Sequence, residues 1–151
     1  MISPLAEVLG YENEEVVARF SEDQAIAFSD AEEIFVETKR WLWLCARRPD
    51  AKIPLLSEAR AIDEMWHTFV LFTDDYAKFC DAYFGFFVHH FPRTRADKIA
   101  WEKRIAEDND AAITERRDTL RKAYEVICDE LGAETLKTWC EDFPARFRFE
   151  R

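Results

Sequence analysis

Glycine and proline are scarce in this chain, and their scarcity restricts the folds open to it. The 151 residues include 3 glycines and 5 prolines, whereas average usage of the two together is roughly 12%. No Asn-Gly or Asp-Gly pair is present, and such pairs are the usual basis of tight β-hairpins. Apolar residues instead recur at helical spacing. We therefore predict an all-α fold, a single-domain bundle of five to seven helices.

Capping residues and the few turn formers predict where the helices begin and end. Helix starts are expected at Ser3, Glu14, Asp30, Ser57, Thr73, Thr94 and Ala133. The second helix is expected to break near Ser21, and the poor helix formers at 108–110 can divide the long helical segment 94–131. Gly85 and Gly132 are expected at C-terminal ends, and Pro144 should end the last helix. One helical domain thus spans 1–151, with a short tail at 143–151.

Acidic residues outnumber basic ones, and the excess lies near the N-terminus. The formal net charge is −10, from 21 Lys and Arg against 31 Asp and Glu. Residues 1–40 contain ten of the acids and three of the bases. A charge of this sign repels phosphate backbones and anionic lipid surfaces, so nucleic acid and membrane partners are not expected. The acidic N-terminal face is either a solvated helix surface or a binding face for a basic partner.

Hydropathy and cysteine spacing indicate the cellular compartment. The longest apolar run, residues 41–46, is too short to cross a membrane, and no charged-then-apolar leader is recognisable. The four cysteines form no C-x-x-C pair, which argues against a zinc finger or a redox dithiol. We therefore expect a soluble, cytoplasmic protein with reduced, packed thiols.

All three histidines lie in residues 57–92, here called the middle segment. Asp63 and His67 are four positions apart, so on a helix they share one face. His89 and His90 are adjacent and must point in different directions, so at most one of them is expected to face His67. Asp63, His67 and that histidine would form a three-ligand set with an open position for water or substrate.

Three other side chains of the middle segment are expected near this set: Trp66, Tyr76 and Cys80. Tyr76 could supply a hydroxyl at its mouth, and Cys80 is either a further ligand or an inert packed thiol. A divalent ion such as zinc, iron or manganese would support metal-assisted hydrolysis or oxidation here. Two other interpretations stay open: histidines that serve as structural hydrogen-bonding groups, and a metal-free acid–base or thiol site.

The motif content leaves three function classes open. The chain has no G-x-G-x-x-G, Walker, G-x-S-x-G or H-E-x-x-H motif, which excludes the usual nucleotide-binding, serine-hydrolase and zinc-protease signatures. The first class is a metal-dependent protein acting on a small molecule. The second is a non-enzymatic interaction module that binds an unknown protein through the acidic face, and the third is a phosphate-mimicking inhibitor of a nucleic-acid enzyme.

Three short motifs follow one another in the middle segment. They are D-x-x-W-H at 63–67, Y-x-x-F-C at 76–80 and F-G-x-x-x-H-H-x-P at 84–92. Together they resemble the bacterial relatives of the glycine-rich domain-containing proteins. Those relatives carry a second histidine two positions after the first, where this chain has Phe69, and the glycine-rich tail of the plant members is missing here. The resemblance marks the middle segment as the functional part and implies no particular reaction.

Overall fold

The computed structural model describes residues 1–149, and within that range it contains helices and no strand. In chain order the α-helices are α1 (Leu5–Leu9), α2 (Glu14–Gln24), α3 (Phe28–Arg47), α4 (Arg60–Leu71), α5 (Thr73–Phe84), α6 (Arg95–Glu107), α7 (Asn109–Leu131), α8 (Ala133–Lys137) and α9 (Phe143–Arg146). A π-helical turn, Thr138–Asp142, joins α8 to α9 without interruption. The described residues thus form eight separate helical segments. The all-α prediction is confirmed, and the predicted number of five to seven helices is too low.

Asp108 accounts for the additional helix. Its backbone is extended, with φ −156° and ψ 95°, and its N–H donates to the carbonyl of Arg104 at the end of α6. Its side chain accepts from the N–H of Ala111 at 3.0 Å, which caps the start of α7. One residue therefore ends one helix and begins the next, and the segment 94–131 is divided. At the other end of α6, Thr94 and Asp97 form a capping box, as a helix start at Thr94 requires.

Three predicted helix caps are wrong. α3 begins at Phe28, and Asp30 lies in its first turn, where the carboxylate accepts from Arg146 at 3.2 Å. α4 begins three residues after Ser57, behind a 3₁₀ turn, and Thr73 is the first residue of α5, so neither hydroxyl caps a helix. The second helix does not break near Ser21, which lies inside α2. The chain turns instead at Ala25, with φ 54°.

Pro144 does not end the last helix. In the π-helical turn the N–H of Phe143 bonds to the carbonyl of Thr138, five residues back. Pro144 then follows the π-helical turn directly, as the second residue of α9, and the helix continues past it to Arg146. The predicted tail at 143–151 is consequently helical as far as Arg146. Glu150 and Arg151, the end of that tail, lie outside the described residues.

Aromatic and aliphatic side chains of α3 and α4 form the centre of the core. α3 packs against α1, α2 and α4. Trp41 of α3 contacts Trp66 of α4 and Trp139 of the π-helical turn, with ring centroids 6.3 and 5.9 Å apart. This packing fixes the face of α4 that carries Met65 and Trp66 against the core. Among the described residues no helix is both long and apolar enough to cross a membrane.

A buried lysine connects α3 to the end of α1. Lys39 is 3% exposed, and its ammonium donates to the carbonyls of Leu9 at 2.8 Å and Tyr11 at 2.6 Å. The same ammonium lies 5.1 Å from the ring centre of Phe35. Burial lowers the pKa of Lys39 to about 8, although Glu12 acts in the opposite direction. This side chain therefore holds the N-terminal segment in place at the cost of a buried charge.

Candidate metal centre

α4 supplies the first two members of the predicted site. Its core face is fixed by Met65 and Trp66, which are both buried. Asp63 and His67 therefore lie at the edge of the helix, one turn apart on a shared face. Nε2 of His67 is 3.5 Å from Oδ1 of Asp63. The sequence prediction that these two side chains meet is consistent with this geometry.

The connection between α5 and α6 supplies the third member. The chain leaves α5 at Gly85, whose φ of 77° is favourable for glycine. It then runs without helical structure to Thr94, and residues along an extended chain alternate in direction. Val88 and His90 face the protein, whereas His89 is exposed. His90 is thus the histidine that faces α4, and His89 lies outside the cluster.

Asp63, His67 and His90 converge on one point. Nε2 of His90 is 3.0 Å from Oδ1 of Asp63, the same oxygen that Nε2 of His67 approaches. One donor atom from each of the three residues lies within 4.8 Å of the other two. Ligands bound tetrahedrally to zinc are roughly 3.4 Å apart, given metal–ligand bonds of about 2.0–2.1 Å. The three side chains could therefore hold one divalent ion after small movements.

The cluster is open on one side. The side chain of His67 is 42% exposed, whereas those of Asp63 and His90 are each 14% exposed. An ion held by the three would thus lie between two largely buried side chains and one that reaches solvent. Such a position is accessible to water or to a substrate.

A buried hydrogen-bond chain holds the segment that carries His90. Nε1 of Trp66 donates to the hydroxyl of Tyr76 at 3.0 Å, and that hydroxyl donates to the carbonyl of Val88 at 2.5 Å. The ring of Trp66 also contacts His90 edge-on, with centroids 4.4 Å apart. Burial, with a smaller contribution from Cys80, raises the pKa of Tyr76, so its hydroxyl keeps its proton. Tyr76 therefore acts inside the protein, and it does not line the mouth of the site as predicted.

Cys80 is also enclosed. Its side chain is fully buried on α5, and burial raises the pKa of its thiol. Because the thiolate is the form that binds metals and attacks substrates, this thiol is unsuited to either role. It packs beside Tyr76 and the backbone of Val88. All four cysteines are free in the structure.

A second carboxylate, which the sequence analysis did not single out, lies beside the cluster. Oε2 of Glu64 is 3.8 Å from Nδ1 of His67, on the opposite side of the ring from Asp63. Glu64 precedes His67 by three positions, and that spacing is visible in the sequence and brings side chains together on a helix. The imidazole of His67 is thus bracketed by two carboxylates of the same helix.

Comparison with known proteins adds a family. A family model described as UCP032817-like matches residues 12–138. The matched span includes Asp63, Glu64, His67 and His90. No curated protein and no solved structure matches the chain. The family description names no activity.

Proposed function

This chain belongs to the UCP032817-like family, and we propose that it binds a divalent metal ion through Asp63, His67 and His90. The observation that carries the proposal is the approach of two imidazole Nε2 atoms to a single oxygen, Oδ1 of Asp63, at 3.0 and 3.5 Å. A histidine that served only to fill the core would be enclosed. His67 instead has 42% of its side chain exposed, at the open side of the cluster.

The donor set indicates the class of metal and reaction. Two imidazoles and one carboxylate suit zinc, iron or manganese and leave coordination positions for water or substrate. Bound there, the ion would supply an activated water for metal-assisted hydrolysis or, in the case of iron, a centre for oxidation. Asp63 contributes the negative charge, and the exposed side of His67 is where a substrate would enter. His90, with 14% of its side chain exposed, is the more enclosed of the two imidazoles.

The similarity of the middle segment to the glycine-rich domain-containing proteins stays a prediction. The UCP032817-like match does not name that family. The three motifs of the middle segment support the similarity, and they include all three proposed ligands, Asp63, His67 and His90.

We expect purified protein, produced without a histidine tag, to bind one zinc or manganese ion per chain and to melt at a higher temperature when the metal is added. Asp63→Asn replaces the charged carboxylate by a weaker, neutral donor, His67→Ala removes an imidazole, and each should weaken binding by at least about tenfold. His89→Ala is the matched control, because it removes an exposed imidazole outside the cluster. Elemental analysis, titration calorimetry and thermal melting measure these effects. Protein without stoichiometric metal and without a thermal shift would contradict the proposal.

A non-enzymatic interaction module is the second candidate, and the exposed carboxylates near the start of α2 favour it. Glu12, Glu14 and Glu15 all lie on the surface. Other acids of residues 1–40 already have a basic partner within the chain, since Asp30 and Glu33 form surface ion pairs with Arg146. The acidic face is therefore smaller than the sequence suggested.

If this second candidate is correct, replacing Glu12, Glu14 and Glu15 together by glutamine should abolish binding of a basic protein partner, because the attraction is between opposite charges. His67→Ala should leave that binding intact and change only stability. Quantitative pull-down at two salt concentrations measures the effect. Binding that survives the triple substitution would count against an acidic binding face.

A further inference from the structure

We infer that Glu64 is a positioning residue, which orients His67 so that its Nε2 faces the metal. The inference rests on the proposed function, since it concerns the same site. It assigns a role to a carboxylate that does not itself belong to the three-donor cluster. The His67 ring has two nitrogens, either of which can bind a metal.

These two nitrogens face two different carboxylates. Nε2 lies 3.5 Å from Oδ1 of Asp63, and Nδ1 lies 3.8 Å from Oε2 of Glu64. An imidazole binds a metal through an unprotonated nitrogen and carries its proton on the other one. Binding through Nε2 therefore places a proton on Nδ1. Glu64 is the group in position to accept the hydrogen bond from that proton.

The anchoring of Glu64 makes it suited to this role. It lies on α4 between Asp63 and Met65, and the core side of this helix is fixed by buried side chains. Its side chain is 18% exposed, much less than that of His67. The distance of 3.8 Å exceeds a hydrogen bond, but the partly exposed His67 ring can turn toward Glu64 as Nε2 turns toward a metal. Histidine ligands in metalloproteins are commonly held by a carboxylate in this manner.

The other histidine is held in a different way. His90 packs edge-on against Trp66, and the carbonyl of Val88, two residues earlier, accepts from Tyr76. Its orientation therefore follows from packing and from the backbone. Of the two histidines, Glu64 acts on His67, and its removal should change metal affinity without loosening the segment that carries His90. Glu64 also adds a second negative charge beside Asp63, which favours a dication.

The test compares Glu64→Gln with Glu125→Gln. Glu125 is an exposed residue of α7, so the control loses the same charge and gains the same amide away from the site. In titrations with zinc, Glu64→Gln should bind about 10–100-fold more weakly than the wild type, whereas Glu125→Gln should match it. Melting of the metal-free proteins separates positioning from a structural role: weaker zinc binding by Glu64→Gln at an unchanged melting temperature supports positioning, and a fall in both overturns it. In the zinc-loaded wild type, ¹⁵N NMR should show His67 protonated at Nδ1 and bound through Nε2.

The outcomes separate the two proposals. If the wild type binds zinc and Glu64→Gln binds it equally well, the role of Glu64 is refuted and the metal site stands. If the wild type binds no zinc, both are refuted. Coordination of zinc through Nδ1 of His67 would also overturn the inference, and this measurement on the wild type needs no variant to fold.

Discussion

We expect the free energy of unfolding of the wild type, relative to that of Lys39→Met, to rise by up to about 3 kcal/mol as the pH rises from about 8 to 10.5. The gain reflects the pKa of Lys39, which burial lowers from 10.5 to about 8, and one pKa unit corresponds to about 1.4 kcal/mol. Below pH 8 the ammonium is charged in both the folded and the unfolded protein. The cost of burying the charge is then present in full and does not vary with pH.

The sign of the effect follows from proton binding. Between pH 8 and 10.5 the folded protein loses the proton of Lys39 first, while the unfolded chain still holds it. The unfolded state then binds more protons, so this group makes the free energy of unfolding rise with pH. Burial also raises the pKa of Cys45 to about 12, and that group lowers stability at alkaline pH. Because Cys45 is present in both proteins, its contribution cancels in the difference between them.

Urea unfolding of the wild type and Lys39→Met, at several pH values from 7 to 10.5, measures this difference. Lys122→Met serves as the control, because Lys122 is an exposed lysine of α7. The difference between wild type and Lys39→Met should change across this pH range, and the difference between wild type and Lys122→Met should not. A pH-independent difference for Lys39→Met would show that its ammonium is not destabilised by burial.

The parts of the fold that the sequence predicts correctly are those that local chemistry decides. Gly85 ends α5 because a left-handed residue closes the helix, and Thr94 begins α6 through a hydrogen bond to a residue three positions away. Asp30 has the same local capacity to cap a helix, yet Arg146, far along the chain, takes its carboxylate. Local patterns do not reveal such a competitor. The predicted cap fails because α3 begins two residues earlier, at Phe28, so that Asp30 lies inside the helix.

In the candidate site, too, local spacing predicts some residues and tertiary contacts determine the others. Asp63 and His67 meet because they lie four positions apart on one helix, and this spacing is readable in the sequence. The choice between His89 and His90 depends on how the chain leaves Gly85 and on the burial of Val88, which is a tertiary contact. The sequence therefore predicts a third histidine ligand without identifying it. The partners of Lys39 cannot be predicted from local spacing at all, since its two carbonyl acceptors lie 28 and 30 positions away.

Tyr76→Phe is expected to destabilise the protein by about 2–4 kcal/mol. Its hydroxyl is the partner of two buried groups, Nε1 of Trp66 and the carbonyl of Val88. Phenylalanine keeps the ring and removes both bonds, and each buried polar group left without a partner costs about 1–3 kcal/mol. Tyr124→Phe is the control. Tyr124 lies on α7 near Glu58 and Cys140, and loss of its hydroxyl should lower the free energy of unfolding much less. Urea unfolding at neutral pH compares the two variants.

The same substitution should also weaken zinc binding, because the bond to Val88 fixes the extended segment two residues before His90. Once that bond is lost, the segment can move away from α4, and His90 no longer stays 3.0 Å from Asp63. Zinc affinity of Tyr76→Phe should therefore fall, whereas that of Tyr124→Phe should equal the wild type. Lower stability with unchanged zinc affinity would mean that packing against Trp66 alone positions His90. A loss of both would show that one buried hydroxyl links the core to the metal site.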